Sequence, residues 1–208
     1  MYHGERFNAG THLFGVGIAV ACAATMLARM ARHAEAATLL GPSLFSVAAI
    51  ALYVSSTAFH STRGRARQMW QRLDHAAIFL LIAGTYTPFA LAAPQYPGNL
   101  ALLGVSWVAA LSSVVRHLRV AGPPDLRLCV ALGWVAVAAA LPVTLRSNSP
   151  ALACLLVGAA SYSLGTIFYL NRAGWRHAHG VWHLFVIGGT TSHYAAVTYL
   201  FGPATIAA

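Results

Sequence analysis

Long stretches without a single charged side chain constrain this chain more than any other feature. Counting Asp, Glu, Lys and Arg as interruptions, uncharged runs cover 7–28, 36–62, 75–115, 128–145, 147–171 and 177–208. A helix that crosses a bilayer needs about 20 mostly apolar residues, so each run is of a length to hold a span. The run 75–115 holds two, divided at Pro94-Gln95-Tyr96-Pro97-Gly98-Asn99, which carries strong turn chemistry. The pattern predicts seven helices, over roughly 12–30, 39–61, 74–93, 98–116, 126–145, 150–170 and 179–201.

Composition agrees. Hydrophobic residues make up 58% of the chain and charged residues 8%, against about 25% charged in soluble domains. Seven spans of about 20 residues take up about 140 of the 208 positions, which leaves too little for a soluble domain. The expected fold class is therefore all-α, a single seven-transmembrane-helix domain over 1–208 in the cell membrane, with the lipid bilayer as its surroundings.

The net charge of +9 comes from 13 basic residues, all of them Arg, against 4 acids. Topology accounts for this excess, and nucleic acid is not an expected partner. Cytoplasmic loops are enriched in positive charge. With the N-terminus inside, Arg6, Arg63, Arg65, Arg67, Arg72, Arg116, Arg119, Arg127, Arg172 and Arg176 lie on the cytoplasmic side, and only Arg29, Arg32 and Arg146 lie outside. The expected topology has a cytoplasmic N-terminus and an outside C-terminus. Ala24 is not followed by a small-residue cleavage pattern, so the first helix is expected to be a retained span rather than a signal peptide. Cys22, Cys129 and Cys154 are widely spaced within predicted helices and read as small buried hydrophobes.

Ionisable groups at membrane depth are costly and mark candidate functional sites. The four acids are Glu5, Glu35, Asp74 and Asp125. Asp74 opens the third predicted helix, where a carboxylate can cap the free backbone donors. It also has company. The second helix ends on Ser56-x-x-x-His60 and the seventh begins His179-Gly180-Val181-Trp182-His183. A separation of four residues puts His179 and His183 on one helix face, as two imidazoles must be to share a metal. The second helix runs towards the side from which the third and seventh start, so His60, Asp74, His179 and His183 fall in one layer of the bilayer. Three neutral imidazoles suit zinc, and three protein ligands with an open fourth position is the catalytic pattern. Asp74 would then hold, or take a proton from, the water at that position.

Other polar residues carry plainer expectations. His75 points about 100° away from Asp74 and reads as interfacial. His193 lies 14 residues beyond His179, about 21 Å of helix, too deep for the site and placed for an interhelical hydrogen bond. His177 reads as a surface neighbour of Arg176. Tyr86 and Thr87 precede Pro88 and are expected to satisfy backbone groups that the proline frees, with Tyr86 alternatively lining a lipid cavity. The run Arg63, Arg65, Arg67 and Arg72 fixes topology and can hold anionic headgroups.

The stretches Ser56-x-x-x-His60, Leu73-Asp74-His75-Ala76-Ala77-Ile78-Phe79, Ile82-Ala83-Gly84-Thr85-Tyr86-Thr87-Pro88-Phe89 and His179-Gly180-Val181-Trp182-His183-Leu184-Phe185-Val186 together resemble the haemolysin III proteins. These are the bacterial branch of the progestin and adipoQ receptor family, which includes the adiponectin receptors. The resemblance covers nearly the whole chain and implies seven helices with the N-terminus inside, opposite to the G-protein-coupled receptors. It also implies zinc held by three histidines near the cytoplasmic side, with an aspartate hydrogen-bonded to the zinc-bound water. The matching positions are His60, His179 and His183 for the metal, Asp74 for the water and Ser56 for the motif serine. No long N-terminal extension like that of the adiponectin receptors is expected, so hormone signalling is not carried over.

The wider superfamily includes alkaline ceramidases, which implies zinc-assisted hydrolysis of a lipid amide or ester, with a membrane lipid as substrate. Asp74 would act as the proton acceptor and Ser56 would orient a ligand or donate to the developing oxyanion, unless its hydroxyl bonds its own helix backbone. Two alternatives stand beside the hydrolase. One is a receptor or sensor with a structural zinc; the other is a pore-forming haemolysin. A pore needs polar groups along its full length, whereas the ionisable residues here gather on one side.

Overall fold

The computed structural model describes residues 4–32, 36–120, 122–147 and 150–201. Glu35 lies outside the described residues. Among those described there is no strand; seven long helices follow one another as α1 (Arg6–Met30), α2 (Leu40–Ser61), α3 (Gly64–Ala92), α4 (Asn99–Arg119), α5 (Leu126–Arg146), α6 (Ala151–Leu170) and α7 (Ala178–Leu200), with a short 3₁₀ turn over Ala36–Leu39 before α2. The chain is thus a polytopic helical bundle, and α1 to α6 are long and apolar enough to cross a bilayer. Helix α7 has 23 residues, length enough to span, but histidine, threonine and serine dilute its apolar character. It tolerates them because His183, Thr190 and His193 are buried inside the bundle, where polar groups in a membrane protein belong.

Two helix starts differ from the sequence reading. Helix α1 begins at Arg6 rather than near 12, and α3 begins at Gly64 rather than at 74. Loss of charge marks where a helix enters hydrocarbon, not where it begins. Arg, Gln and Met are good helix formers, so the segment Arg65–Leu73 continues α3 into the headgroup layer. Its 29 residues extend about 43 Å, well beyond an apolar core about 30 Å thick. Asp74 consequently sits well inside the helix, the N-cap being Arg63. The capping role considered for Asp74 is excluded.

The helices pack as a ring in the order α1, α2, α3, α5, α6, α7, closed by contact of α7 with α1, while α4 lies outside the ring, chiefly against α3. Association of helices in lipid depends on close van der Waals packing and interhelical hydrogen bonds. Gly41 of α2 illustrates the first, because a Cβ there would stand 2.7 Å from Pro88 Cα on α3. Thr190 of α7 illustrates the second. Its Oγ1 donates to Val186 O, leaving its lone pairs for the Tyr53 hydroxyl of α2 and the Tyr162 hydroxyl of α6, each at 2.7 Å. One residue so ties three helices together.

Near the proline of α3 the expected backbone repair is not what the side chains do. Pro88 lacks the N–H that would bond the Gly84 carbonyl, but Thr87 Oγ1 donates to Ala83 O at 2.7 Å and accepts from Trp107 Nε1 of α4 at 3.1 Å. Tyr86 donates to Asn99 Oδ1 at 3.0 Å. Both side chains join α3 to α4 instead.

Candidate metal centre

His60 occupies the last turn of α2, and His179 and His183 the first turns of α7, at the arginine-rich end of the bundle. Ring centroids are 5.1 Å apart for His60 and His179, 5.1 Å for His60 and His183, and 4.6 Å for His179 and His183. One ligand nitrogen from each lies within 4.8 Å of the other two. Nitrogens bound tetrahedrally to one zinc at 2.0–2.1 Å stand about 3.4 Å apart, so small side-chain rotations bring the set onto a common ion. The Nε2 atoms of all three rings are buried and have no hydrogen-bond partner. An unsatisfied buried polar atom costs about 1–3 kcal/mol; a shared cation would satisfy all three at once. The donor set could therefore hold a metal ion.

The far nitrogens of two of these rings are held by the start of α1. His60 Nδ1 lies 2.7 Å from Glu5 Oε2, and Glu5 also accepts from Arg67 Nη2 at 2.8 Å and Asn8 Nδ2 at 2.7 Å. Partial burial acts to raise the Glu5 carboxyl, but the hydrogen bonds from Asn8, Arg67 and His60 outweigh it and hold the group below the usual glutamate range. His183 Nδ1 lies 3.0 Å from Thr11 Oγ1 and 3.1 Å from Asn8 O. The approach of α1 to α7 depends on Gly180, where a Cβ would overlap the Phe7 ring and come within 3.0 Å of Asn8 Oδ1.

Asp74 is buried on α3 and stands outside the mutually close nitrogen set. Its polar neighbour is the Ser56 hydroxyl, one helical turn before His60, although Ser56 Oγ makes no hydrogen bond of good geometry. Ser56 thus does not bond its own helix backbone, the alternative open from sequence. Asp74 lies on the wall of a partly open cavity of about 130 Å³ lined by the helices of the ring. Its wall is largely apolar, with Leu52, Leu81, Ile82, Phe89, Val137 and Val186 among its residues, and Asp74, His12 and His193 as its ionisable groups apart from Cys129, Tyr86 and Tyr162.

His12 is a residue that sequence reading passed over. It is buried, stacks on His183 with centroids 3.5 Å apart and planes 16° apart, and meets Tyr53 edge-on at 5.1 Å. Neither of its ring nitrogens has a partner. Glu5, Asn8, Thr11 and His12 recur at helical spacing of three or four residues, and that polar stripe was the available signal. With the first helix drawn from residue 12 onward, Glu5, Asn8 and Thr11 fell outside it and His12 stood alone at its start.

The remaining polar residues fall as follows. His193 Nε2 bonds Leu155 O on α6 at 3.2 Å, the interhelical role expected of it, and also faces the cavity. His75 Nδ1 bonds Gly122 O at 2.7 Å, and His177 is exposed. Tyr86 lines the cavity. The three cysteines are free.

A ring of membrane-crossing helices with three unpartnered imidazole nitrogens beside an apolar cavity defines a multi-pass membrane protein with a candidate metal centre. The chain belongs to the family described as Haemolysin-III related, which matches residues 1–194. It is 30% identical over 209 aligned residues to Hemolysin-3 of Bacillus cereus, covering 96% of this chain and 92% of that protein. Against the Hemolysin-3 homolog of Bacillus subtilis (strain 168) the identity is 31% over 199 residues, 94% of this chain and 93% of the relative. A more distant match, 24% identical over 223 residues, is the adiponectin receptor protein of Drosophila melanogaster; it covers 94% of this chain but 50% of the receptor. The family resemblance and the cell-membrane location read from the sequence hold.

Proposed function

We propose that this protein is an intramembrane zinc-dependent hydrolase acting on an amide or ester bond of a membrane lipid. The observation that carries the reading is the set of three unpartnered Nε2 atoms, on His60, His179 and His183, joined through His12, which stacks on His183, to an apolar cavity with a buried carboxyl on its wall. Zinc held there would polarise a carbonyl and lower the pKa of a water from 15.7 to about 7. The protein's own groups do the rest. Asp74 accepts the proton of the attacking water and returns it to the leaving group. Ser56, with an uncommitted hydroxyl beside Asp74, orients that carboxyl or donates to the developing oxyanion. The acyl chain lies along Leu81, Ile82, Phe89 and Val137, which keep bulk water from the bond being cleaved. The arginine bias supports a cytoplasmic position for this end of the bundle.

Two observations favour this reading over its alternatives. A structural zinc is closed by four protein ligands, and the two nearby candidates for a fourth, Asp74 and His12, both lie outside the three-nitrogen set. A water-filled pore needs donors and acceptors along its length, whereas this cavity is lined mostly by aliphatic and aromatic side chains. The test is turnover by purified, zinc-loaded protein on ceramide and on a fatty-acyl ester in mixed micelles, followed by release of free fatty acid. Asp74→Asn is expected to keep its zinc and lose turnover; undiminished fatty-acid release by that variant would remove Asp74 from the mechanism.

A further inference from the structure

The start of α1 touches the histidine cluster from the side away from the Nε2 atoms, and it does so twice. Glu5 meets His60 Nδ1 at 2.7 Å, while Asn8 O and Thr11 Oγ1 meet His183 Nδ1 at 3.1 and 3.0 Å. The chemistry of these partners fixes where the ring protons sit. An ionised carboxylate and a backbone carbonyl only accept. Thr11 Oγ1 sends its own proton to Asn8 O at 2.9 Å, so towards His183 it offers a lone pair. Both Nδ1 atoms must therefore carry hydrogen, and in a neutral imidazole the lone pair is then on Nε2. Those are the atoms left without a partner.

We propose that Glu5, Asn8 and Thr11 are positioning residues of the metal centre, which set the tautomer and ring orientation of His60 and His183 so that both present Nε2 to one cation. The inference rests on the zinc reading given above. Glu5 has the larger share, because it is anionic, receives two further donors from Arg67 and Asn8, and makes the shorter bond to its histidine. A carboxylate on the far ring nitrogen also makes the ligating nitrogen more basic. Thr11 has a smaller share, since Asn8 O remains as a second acceptor for His183. Gly180 permits the arrangement by letting Phe7 and Asn8 lie against α7 between the two ligands it carries.

The test is metal affinity, measured on the purified full-length protein by competition with a chromophoric chelator for Zn²⁺, with the visible absorption of the Co²⁺ form as a second readout. Loss of an outer partner of a ligating histidine weakens metal binding about 10- to 100-fold. Glu5→Ala is expected within that range, and Glu5→Gln, which keeps a neutral acceptor, closer to wild type. Thr11→Val should fall below Glu5→Ala in effect, and Asp125→Ala, which removes the α5 cap whose carboxylate accepts from Arg127 N and Leu128 N, should leave affinity unchanged. The Co²⁺ bands should shift in the Glu5 variants and not in Asp125→Ala. If Glu5→Ala does not fold, the graded pair Glu5→Gln and Thr11→Val carries the test. Wild-type affinity and an unaltered Co²⁺ spectrum in the Glu5 and Thr11 variants would overturn the inference alone. Failure of the wild-type protein to take up either metal would overturn the zinc reading and this inference with it.

Discussion

Helices α2 and α3 differ sharply from α4 and α5, although all four are long and apolar enough to cross a bilayer. Of the most apolar stretch of each helix, 56% of α2 and 61% of α3 is buried within the protein, against 17% of α4 and 22% of α5. Leu100, Val105, Val108, Leu111 and Val115 of α4 face outward, where lipid chains are as good a solvent as protein. The candidate site residues belong to the buried group, with Ser56 and His60 on α2 and Asp74 on α3, joined by α7 and the first turns of α1. Helix α5 contributes a wall to the cavity without contributing a ligand. The comparison teaches that the candidate site residues sit where helices are fixed on several sides, while of the two lipid-facing helices α5 supplies a wall of the cavity and α4 lies outside it.

That division can be broken most severely at the ligands. His60→Ala and His183→Ala are each expected to take the metal content from about one zinc per chain to none, measured by elemental analysis of purified protein. Full metal content in both would place the metal, if any, elsewhere. Next in size is Asp74→Asn, expected to retain zinc while turnover falls about 10²- to 10⁴-fold, which a parallel metal assay and fatty-acid release assay would separate.

Packing differences should be smaller and measurable as thermal stability in detergent. Phe45 is fully buried on α2 against Tyr194 of α7, with centroids 4.4 Å apart. In a membrane the transfer part of a truncation largely vanishes but the cavity part remains, so Phe45→Ala is expected to cost on the order of 2 kcal/mol. Val108→Ala on the outer face of α4 should stay within about 0.5 kcal/mol. Equal losses at the two positions would contradict the division between packed and lipid-facing helices. Between these two falls Trp134→Phe, which removes the 3.0 Å bond from Trp134 Nε1 to Ser163 Oγ between α5 and α6; an interhelical bond of this kind averages about 0.6 kcal/mol.

Much of this was legible in the sequence, and for identifiable reasons. Hydrocarbon excludes charge, so the uncharged runs marked all seven helices, and the turn chemistry around Pro97 and Gly98 separated α3 from α4. A spacing of four residues showed that His179 and His183 share a face, and the alternation of helix direction showed that His60 lies in their layer. The beginning of α3 was not legible from charge, because arginines and polar residues in the headgroup layer continue a helix without altering its dihedrals, and that is why Asp74 read as a cap. Helix α1 was drawn from residue 12 although its uncharged run opens at 7, which left Glu5, Asn8 and Thr11 outside it and His12 without its stripe. Their importance comes from the meeting of α1 with α7 at Gly180, a contact between residues some 170 positions apart that local spacing does not encode.

X-ray absorption at the zinc edge on the purified wild-type protein tests the central claim most directly. Three imidazole nitrogens and one oxygen scatterer at about 2.0–2.1 Å are expected, with the imidazole contribution collapsing in His183→Ala. A protein that retains no zinc after supplementation, or whose zinc is surrounded by sulfur or by fewer than three imidazoles, would contradict it.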